Sequence, residues 1–140
     1  MTRPEIDALL ERHLAAFASR VPDAIAADHA EVGTFYSPAV GTVTGRARIA
    51  GVYQYWLTAF PDMEFTWGPP IVEGNRIALF WQFRGTVAGP FFGEVKLGTK
   101  VEFPGAAEYM VSSKGIVSAR HVFDFSAVLV KAGVLKLKPV

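Results

Sequence analysis

The sequence predicts an α+β fold in which helices pack on one side of a curved, mainly antiparallel β-sheet. Helical spacing of apolar residues dominates the first 61 positions, whereas the chain after Pro61 consists of aromatic and β-branched runs separated by glycine, proline and polar turns. Helices first and strands later are typical of α+β proteins. The 140 residues contain no repeat or linker, so we expect a single domain over residues 1–140.

The composition excludes several classes of protein. Hydrophobic residues make up 51% of the chain, which is enough for a sizeable core. Charged residues make up 19% and the net charge is +1, so we expect no nucleic-acid partner, because phosphates require a basic surface. The chain has no cysteine, which excludes disulfides, thiolate metal sites and a cysteine nucleophile.

Hydropathy predicts location and assembly. The N-terminal residues carry scattered charges, unlike a signal peptide, and no apolar run approaches the about 18 residues that a membrane span needs. We therefore expect a cytoplasmic protein with no membrane partner. The mean hydropathy of +0.26 is high for a small protein. Spare apolar surface commonly forms a subunit interface, so we expect a homodimer.

Three helices are predicted before the chain turns to strands. Residues 4–18 carry an apolar stripe at helical spacing that includes His13. A second, short helix starts at Pro22. The third, within residues 45–61, ends at Pro61 and carries a similar stripe made of Ile49, Val52, Tyr53, Trp56, Leu57 and Phe60.

Strands are predicted for residues 33–41 and for four later runs. Pro38 and Gly41 end the first strand. A hairpin turn is expected at the sequence SSKG, and a short final helix is expected to close at Gly133. The four later runs, which are aromatic and β-branched, are residues 63–72, 76–89, 99–113 and 115–125.

Residues 27–65 resemble a known family. They read ADHAEVGTFYSPAVGTVTGRARIAGVYQYWLTAFPDMEF and are similar to SnoaL-like polyketide cyclases of the nuclear transport factor 2-like superfamily. The matching pieces are Ser37-Pro38, Gly41, Gly45, Ile49 and Phe60-Pro61-Asp62.

The segment GIVSARHVFDFSAVL also resembles the closing strand and helix of that family, so the resemblance covers nearly the whole chain. It implies a cone-shaped fold, with three N-terminal helices on a curved mixed or antiparallel sheet that encloses a pocket. It is specific for the fold and weak for chemistry, because the superfamily includes isomerases, dehydratases, cyclases, epoxide hydrolases and non-enzymatic domains.

His121 is the first candidate for chemistry. Strand alternation places it on one face with Ala119, Phe123 and Phe125. The position of His121 resembles that of the catalytic aspartate in polyketide cyclases, which transfers a proton during an aldol cyclisation. A histidine can do acid–base chemistry near neutral pH. The alternative is a buried neutral histidine with a structural hydrogen bond.

Two further groups resemble the oxyanion donors of ketosteroid isomerase. His13 is similar in place to a tyrosine donor, and packing against the sheet is its alternative role. Glu108 is similar in place to a protonated aspartate. An inward Glu108 would share its face with Met110 and have a raised pKa. A register shift of one residue would turn Tyr109 inward instead.

Asp124 is also a catalytic candidate, although its place before the last helix predicts an N-cap. Ser37 lies where the isomerase has its aspartate base. Since serine is no base at neutral pH, a true steroid isomerase is not expected. The residues expected to bind substrate, or to fill the core instead, are Phe35, Ser37, Tyr53, Trp56, Trp81, Phe83, Met110 and Phe123.

No metal or other cofactor is expected. His13, His29 and His121 show no ligand spacing, His29 is expected to be solvated in a polar loop, and the chain has no phosphate loop. We therefore expect a cofactor-independent enzyme that binds a small apolar carbonyl compound and catalyses aldol cyclisation or isomerisation. His121, His13 and Glu108 would face one cavity. The alternative is a non-catalytic ligand-binding or dimerisation domain of the same fold.

Overall fold

The computed structural model describes residues 1–138, which form four helices and seven strands. The helices are α1 (Arg3–Ser19), α2 (Pro22–Ala26), α3 (Arg46–Ala59) and α4 (Phe125–Lys131). The strands are β1 (His29–Ser37), β2 (Gly41–Thr44), β3 (Glu64–Trp67), β4 (Ile71–Glu73), β5 (Arg76–Thr86), β6 (Lys100–Ser112) and β7 (Gly115–Val122).

The strands form one mixed sheet in the order β2-β1-β7-β6-β5-β3, and β4 pairs with the end of β5. Only β1 and β7 run parallel among the described pairs; the others are antiparallel. The α+β prediction is confirmed, because the helices pack against one mixed sheet. The last strand, β7, thus lies beside the first strand, β1. This pairing places both strands away from the edges of the sheet.

The helices follow the predicted stripes. Thr2 caps α1 in a capping box with Glu5, which satisfies backbone N–H groups of the first turn. The buried residues of α1 are Ile6, Leu9, Leu10, His13 and Phe17. The stripe of α3 is buried as predicted, and the helix ends before Pro61. Both helices therefore turn their apolar faces to the sheet.

Two element boundaries differ from prediction. The first predicted strand is a β1–β2 hairpin, because Gly41 adopts a positive φ of 70° and lets the chain reverse after Pro38. Strand β7 ends at Val122, three residues earlier than predicted, because Asp124 starts α4. Phe123 therefore lies between two elements, at the rim of the sheet.

Burial alternates along β5 and β6. On β5 the residues Ile77, Leu79, Trp81 and Phe83 are buried, and the residues between them face outward. The helices cover the inner face, and the core lies between them and the sheet. Within residues 1–138, no helix is both long enough and apolar enough to cross a membrane.

Candidate functional site

A small cavity lies between α3 and the inner face of the sheet. Its volume is about 40 Å³, room for about three water molecules. Strands β1, β3, β5, β6 and β7 all contribute side chains to it. The lining residues are Phe35, Ser37, Val52, Tyr53, Trp56, Met63, Phe65, Trp81, Phe83, Phe103, His121 and Phe123.

His121 points into this cavity from β7. His121 is 5% exposed. Its ring centroid lies 5.4 Å from that of Phe35 and 5.9 Å from that of Trp81. Burial, with a smaller contribution from the charge of His29, lowers the pKa of His121 to about 3. The imidazole is therefore neutral at pH 7, with one nitrogen that donates and one that accepts.

Three polar atoms of the lining have no hydrogen-bond partner within residues 1–138. They are Ser37 Oγ, Trp81 Nε1 and His121 Nε2, and all three are buried. Buried polar groups are normally paired, and leaving one unpaired costs about 1–3 kcal/mol. These atoms give a mainly apolar cavity a hydrogen-bonding capacity that the described residues do not use.

His13 lies behind the cavity and does not line it. It is fully buried on α1, and its ring contacts those of Phe17, His29 and Tyr109 edge-on. Burial is the main cause that lowers the pKa of His13 well below 6.5. Both ring nitrogens lack a partner among the described residues. His13 therefore does not contact the cavity directly. The ring of Tyr109 lies next to both His13 and His121.

The expectation of a solvated His29 was wrong. His29 is 1% exposed at the start of β1, where the ring of His13 packs against it. Burial, opposed by Asp28 and assisted by Arg46, lowers the pKa of His29 to about 4. Three neutral histidines therefore share one side of the interior. No local sequence signal marks His29, because α1, a distant part of the chain, supplies the cover.

The inward placement of Glu108 was also wrong. Glu108 lies on the outer face of β6, where its Oε2 accepts a hydrogen bond of 2.7 Å from Arg76 Nη2. That bond lowers the pKa of Glu108, contrary to the predicted rise. Tyr109 faces inward instead and is fully buried. Met110 shares the outer face with Glu108 and does not line the cavity, so the predicted convergence of His121, His13 and Glu108 is not present.

Asp124 lies outside the cavity as well. Its side chain is exposed and accepts a hydrogen bond of 3.0 Å from the backbone N–H of Ala127, which caps α4. The cap explains the residue without a catalytic role. The position of Asp124 in the chain had predicted this cap, whereas its inclusion among the catalytic candidates does not agree with the geometry.

Most predicted ligand-binding residues do line the cavity. Those that do are Phe35, Ser37, Tyr53, Trp56, Trp81, Phe83 and Phe123. Sequence reasoning missed Val52, Met63, Phe65 and Phe103. Val52 belongs to the α3 stripe and Phe103 alternates with buried Val101, so both carried a signal. Met63 lies in the connection between α3 and β3, where no periodic pattern predicts which side chains are buried.

Met63 and Phe65 form a wall between the cavity and a larger groove outside. The groove has a volume of about 430 Å³ and lies between α1 and β3. Both residues line the groove and the cavity. Arg20, in a left-handed conformation at the end of α1, donates from Nε to the carbonyl of Met63 at 3.1 Å and holds this connection in place. Moving the two side chains would join the two spaces.

The lining can bind a neutral ligand with few polar atoms. It contains no carboxylate and no cationic group, and burial of an unpaired charge would be costly. Within residues 1–138, no cluster of three or more histidine, aspartate or glutamate side chains could hold a metal ion. These residues offer hydrogen bonding at Ser37, Trp81 and His121, and proton transfer at His121.

Comparison with known proteins places the chain in a family. A family model described as a SnoaL-like domain matches residues 10–119. The chain belongs to the SnoaL-like domain family. A comparison of this SnoaL-like protein with curated proteins finds no match.

Solved structures show that the chain has the nuclear transport factor 2-like fold. A protein of ketosteroid isomerase-like fold from Catenulispora acidiphila DSM 44928, in complex with trimethylamine, is 24% identical with a TM-score of 0.78, covering 99% of this chain and 100% of the other. An NTF2-like protein from Burkholderia pseudomallei K96243 is 16% identical with a TM-score of 0.79, covering 94% and 98%. The epoxide hydrolase/cyclase-like enzyme SalBIII is 15% identical with a TM-score of 0.72, covering 88% and 93%.

Proposed function

We propose that this SnoaL-like protein binds a small, mainly apolar carbonyl compound in the aromatic cavity and catalyses proton transfer at the carbon next to the carbonyl. Aldol cyclisation and isomerisation both begin with that step. The observation that carries the proposal is the set of three unpaired polar atoms, on Ser37, Trp81 and His121, inside a mainly apolar cavity.

The types of these polar atoms favour a carbonyl ligand. Trp81 Nε1 can only donate a hydrogen bond, and the Ser37 hydroxyl can donate as well. A carbonyl oxygen accepts two hydrogen bonds, so one such oxygen could satisfy both groups. His121 then remains available for the neighbouring carbon. The aromatic rings around them suit the apolar remainder of the ligand.

The proton-transfer step follows from these roles. A His121 nitrogen takes the proton from the α-carbon, the C–H electron pair forms the carbon–carbon double bond of an enolate, and the negative charge develops on the oxygen. Hydrogen bonds from Trp81 and Ser37 stabilise that oxygen. The pKa of His121 is low because the imidazole is buried in a cavity whose lining offers no negative charge. The negative charge that develops on the enolate would stabilise the imidazolium and so raise this pKa.

Substrate binding requires the cavity to expand. Its volume of about 40 Å³ is far below the about 300–1,000 Å³ of most ligand sites. The wall made by Met63 and Phe65 offers the route, because the groove of about 430 Å³ lies on its other side. Outward movement of these two side chains would open the cavity toward α1 without disturbing the sheet.

The test measures hydrogen–deuterium exchange at the α-carbon of 1-indanone, a small aromatic ketone, in D₂O by NMR. We expect the wild-type protein to accelerate exchange and His121→Phe, which keeps a ring in the same place, to lose at least tenfold of that rate. Glu108→Gln, on the outer face, is the control and should leave it unchanged. Exchange that is equal in wild type and His121→Phe would refute the catalytic role.

A non-catalytic ligand-binding domain is the second candidate, supported by how fully aromatic side chains fill the cavity. Its signature would be saturable binding of 1-indanone with no acceleration of exchange. Trp67→Phe leaves only the cavity residues Trp56 and Trp81 as tryptophan reporters, so fluorescence of that variant reports binding. Trimethylamine, which the Catenulispora relative binds, is a useful comparison ligand, since aromatic rings can also bind cations.

A further inference from the structure

Buried polar groups continue from the cavity to a surface cleft beside Asp28. We propose that His13 and Tyr109 form a proton path between Asp28, at the surface, and His121, in the cavity. The path rests on the proposed function, because it would exchange with solvent the proton that His121 takes from a substrate. It would run from α1 through β6 to β7.

Asp28 is the outer end of the path. Its side chain is 9% exposed, and its Oδ1 accepts a hydrogen bond of 2.6 Å from Arg12 Nε. Asp28 also lines an open surface cleft of about 230 Å³ together with Glu5 and Lys114. Its other oxygen, Oδ2, lies 4.0 Å from His13 Nδ1. One carboxylate thus faces solvent and a buried imidazole at once.

His13 connects this carboxylate to the interior. Both of its nitrogens are buried without a hydrogen-bond partner among residues 1–138. A neutral imidazole can accept a proton at one nitrogen and release another from the second. Its ring centroid lies 5.4 Å from that of Tyr109 and 5.3 Å from that of His29. His29 is therefore a side branch that shares the same cluster.

Tyr109 completes the connection to the cavity. Its ring lies 5.9 Å from that of His121, and its buried hydroxyl has no partner in the described part of the chain. Burial raises the pKa of Tyr109, so the hydroxyl keeps its proton and passes protons by accepting one while releasing another. Transfer between neighbouring groups along the path requires a ring rotation or one bridging water molecule.

The path would let His121 exchange protons with solvent. Aromatic side chains surround His121, which limits its contact with bulk water. A proton that His121 takes from a ligand would pass to Tyr109 and His13 and leave at Asp28, while a proton from water enters by the reverse route. The exchange leaves every group in its original charge state. It also explains why so many buried polar atoms are tolerated together.

The test measures the exchange of the His121 ring N–H with water in the free protein, by NMR with ¹⁵N-labelled histidine. This readout needs no ligand, so it is independent of the proposed function. His13→Phe keeps an aromatic ring but cannot carry a proton, and Tyr109→Phe removes only the hydroxyl. We expect each variant to slow the exchange at least tenfold. The control is Phe17→Leu, which alters a ring that packs 5.2 Å from His13 and carries no proton.

Asp28→Asn provides a second test that leaves the packing of His13 intact. It should slow the exchange as well, and the double variant Asp28→Asn/His13→Phe should be no slower than His13→Phe alone, because the groups act in series. Unchanged exchange in His13→Phe and Asp28→Asn would overturn the path. Slowing of equal size in Phe17→Leu would also overturn it, since packing alone would then be the cause.

Discussion

Trp81 occupies the space that a side chain at Gly105 would fill. The two residues are partners across β5 and β6, and any Cβ added at Gly105 would overlap the indole ring. The glycine thereby allows Trp81 to lie against β6, with its ring on the wall of the cavity. The shape of the cavity therefore depends on the absence of a side chain on the neighbouring strand.

Gly105→Ala should displace Trp81. We expect a loss of about 1–3 kcal/mol in the free energy of unfolding, because overpacking forces side chains out of their preferred rotamers, together with a shift in tryptophan fluorescence. The matched control is Gly51→Ala on α3, where an added Cβ meets no atom within 4 Å. It should stabilise the protein by about 0.5–1 kcal/mol. Equal stability of the two variants in urea would contradict this.

Met63→Ala should make the cavity easier to enter. The side chain is 2% exposed and separates the cavity from the outer groove. We expect a loss of about 2–5 kcal/mol in stability together with tighter binding of 1-indanone, measured by fluorescence titration. Leu57→Ala, a buried residue of α3 that does not line the cavity, should lose stability without that gain. Weaker binding in Met63→Ala would contradict the proposed route.

Stability should fall in mild acid. The pKa values of His29 and His121 are about 4 and about 3 in the folded protein, against 6.5 in the unfolded chain. The unfolded chain therefore binds more protons, and stability is lost as the pH falls from 6.5 toward these values. From pH 7 to pH 5 each histidine should remove about 2 kcal/mol from the free energy of unfolding.

Urea unfolding at the two pH values measures this loss. His13 adds a decrease of the same sign, because its pKa is also lowered. His29→Phe removes one titrating group and should reduce the decrease by about 2 kcal/mol. A free energy of unfolding that is constant between pH 5 and pH 7 would show that these histidines are already charged or solvated in the folded protein.

The outer face of the sheet is the expected dimer interface. Phe80 and Val122 face solvent on either side of Ala106, in one row across three strands, and Phe80 is 73% exposed. We expect sedimentation velocity to show a dimer that Phe80→Lys converts to a monomer. Val32→Lys, at a residue 79% exposed on β1, is the control. A wild-type monomer at all concentrations would contradict this expectation.

Periodicity was informative where an element is long and its two faces differ. The stripes of α1 and α3 predicted their buried residues, and alternation around His121 predicted its inward face. Around Glu108 the contrast was weak, because Ala106 and Ala107 place a small apolar residue on each face. The pairing of Trp81 with Gly105 and the burial of Tyr109 settle the register there.

Long-range contacts decided what periodicity could not. His29 is buried because His13 of α1 packs against the start of β1, and nothing adjacent in sequence encodes that contact. Met63 lines the cavity from a connection whose backbone is bound by Arg20, 43 residues earlier in the chain. The row of buried polar groups behind the cavity therefore became visible only in three dimensions.

The most direct measurement of the central claim is an NMR titration of ¹⁵N-histidine-labelled protein with 1-indanone. The cavity is lined by His121 and not by His13 or His29. We predict a saturable shift of the His121 ring nitrogen signals that exceeds the shifts of His13 and His29. If the His121 signals stay in place up to the solubility limit of the ketone, the cavity is not a carbonyl-binding site.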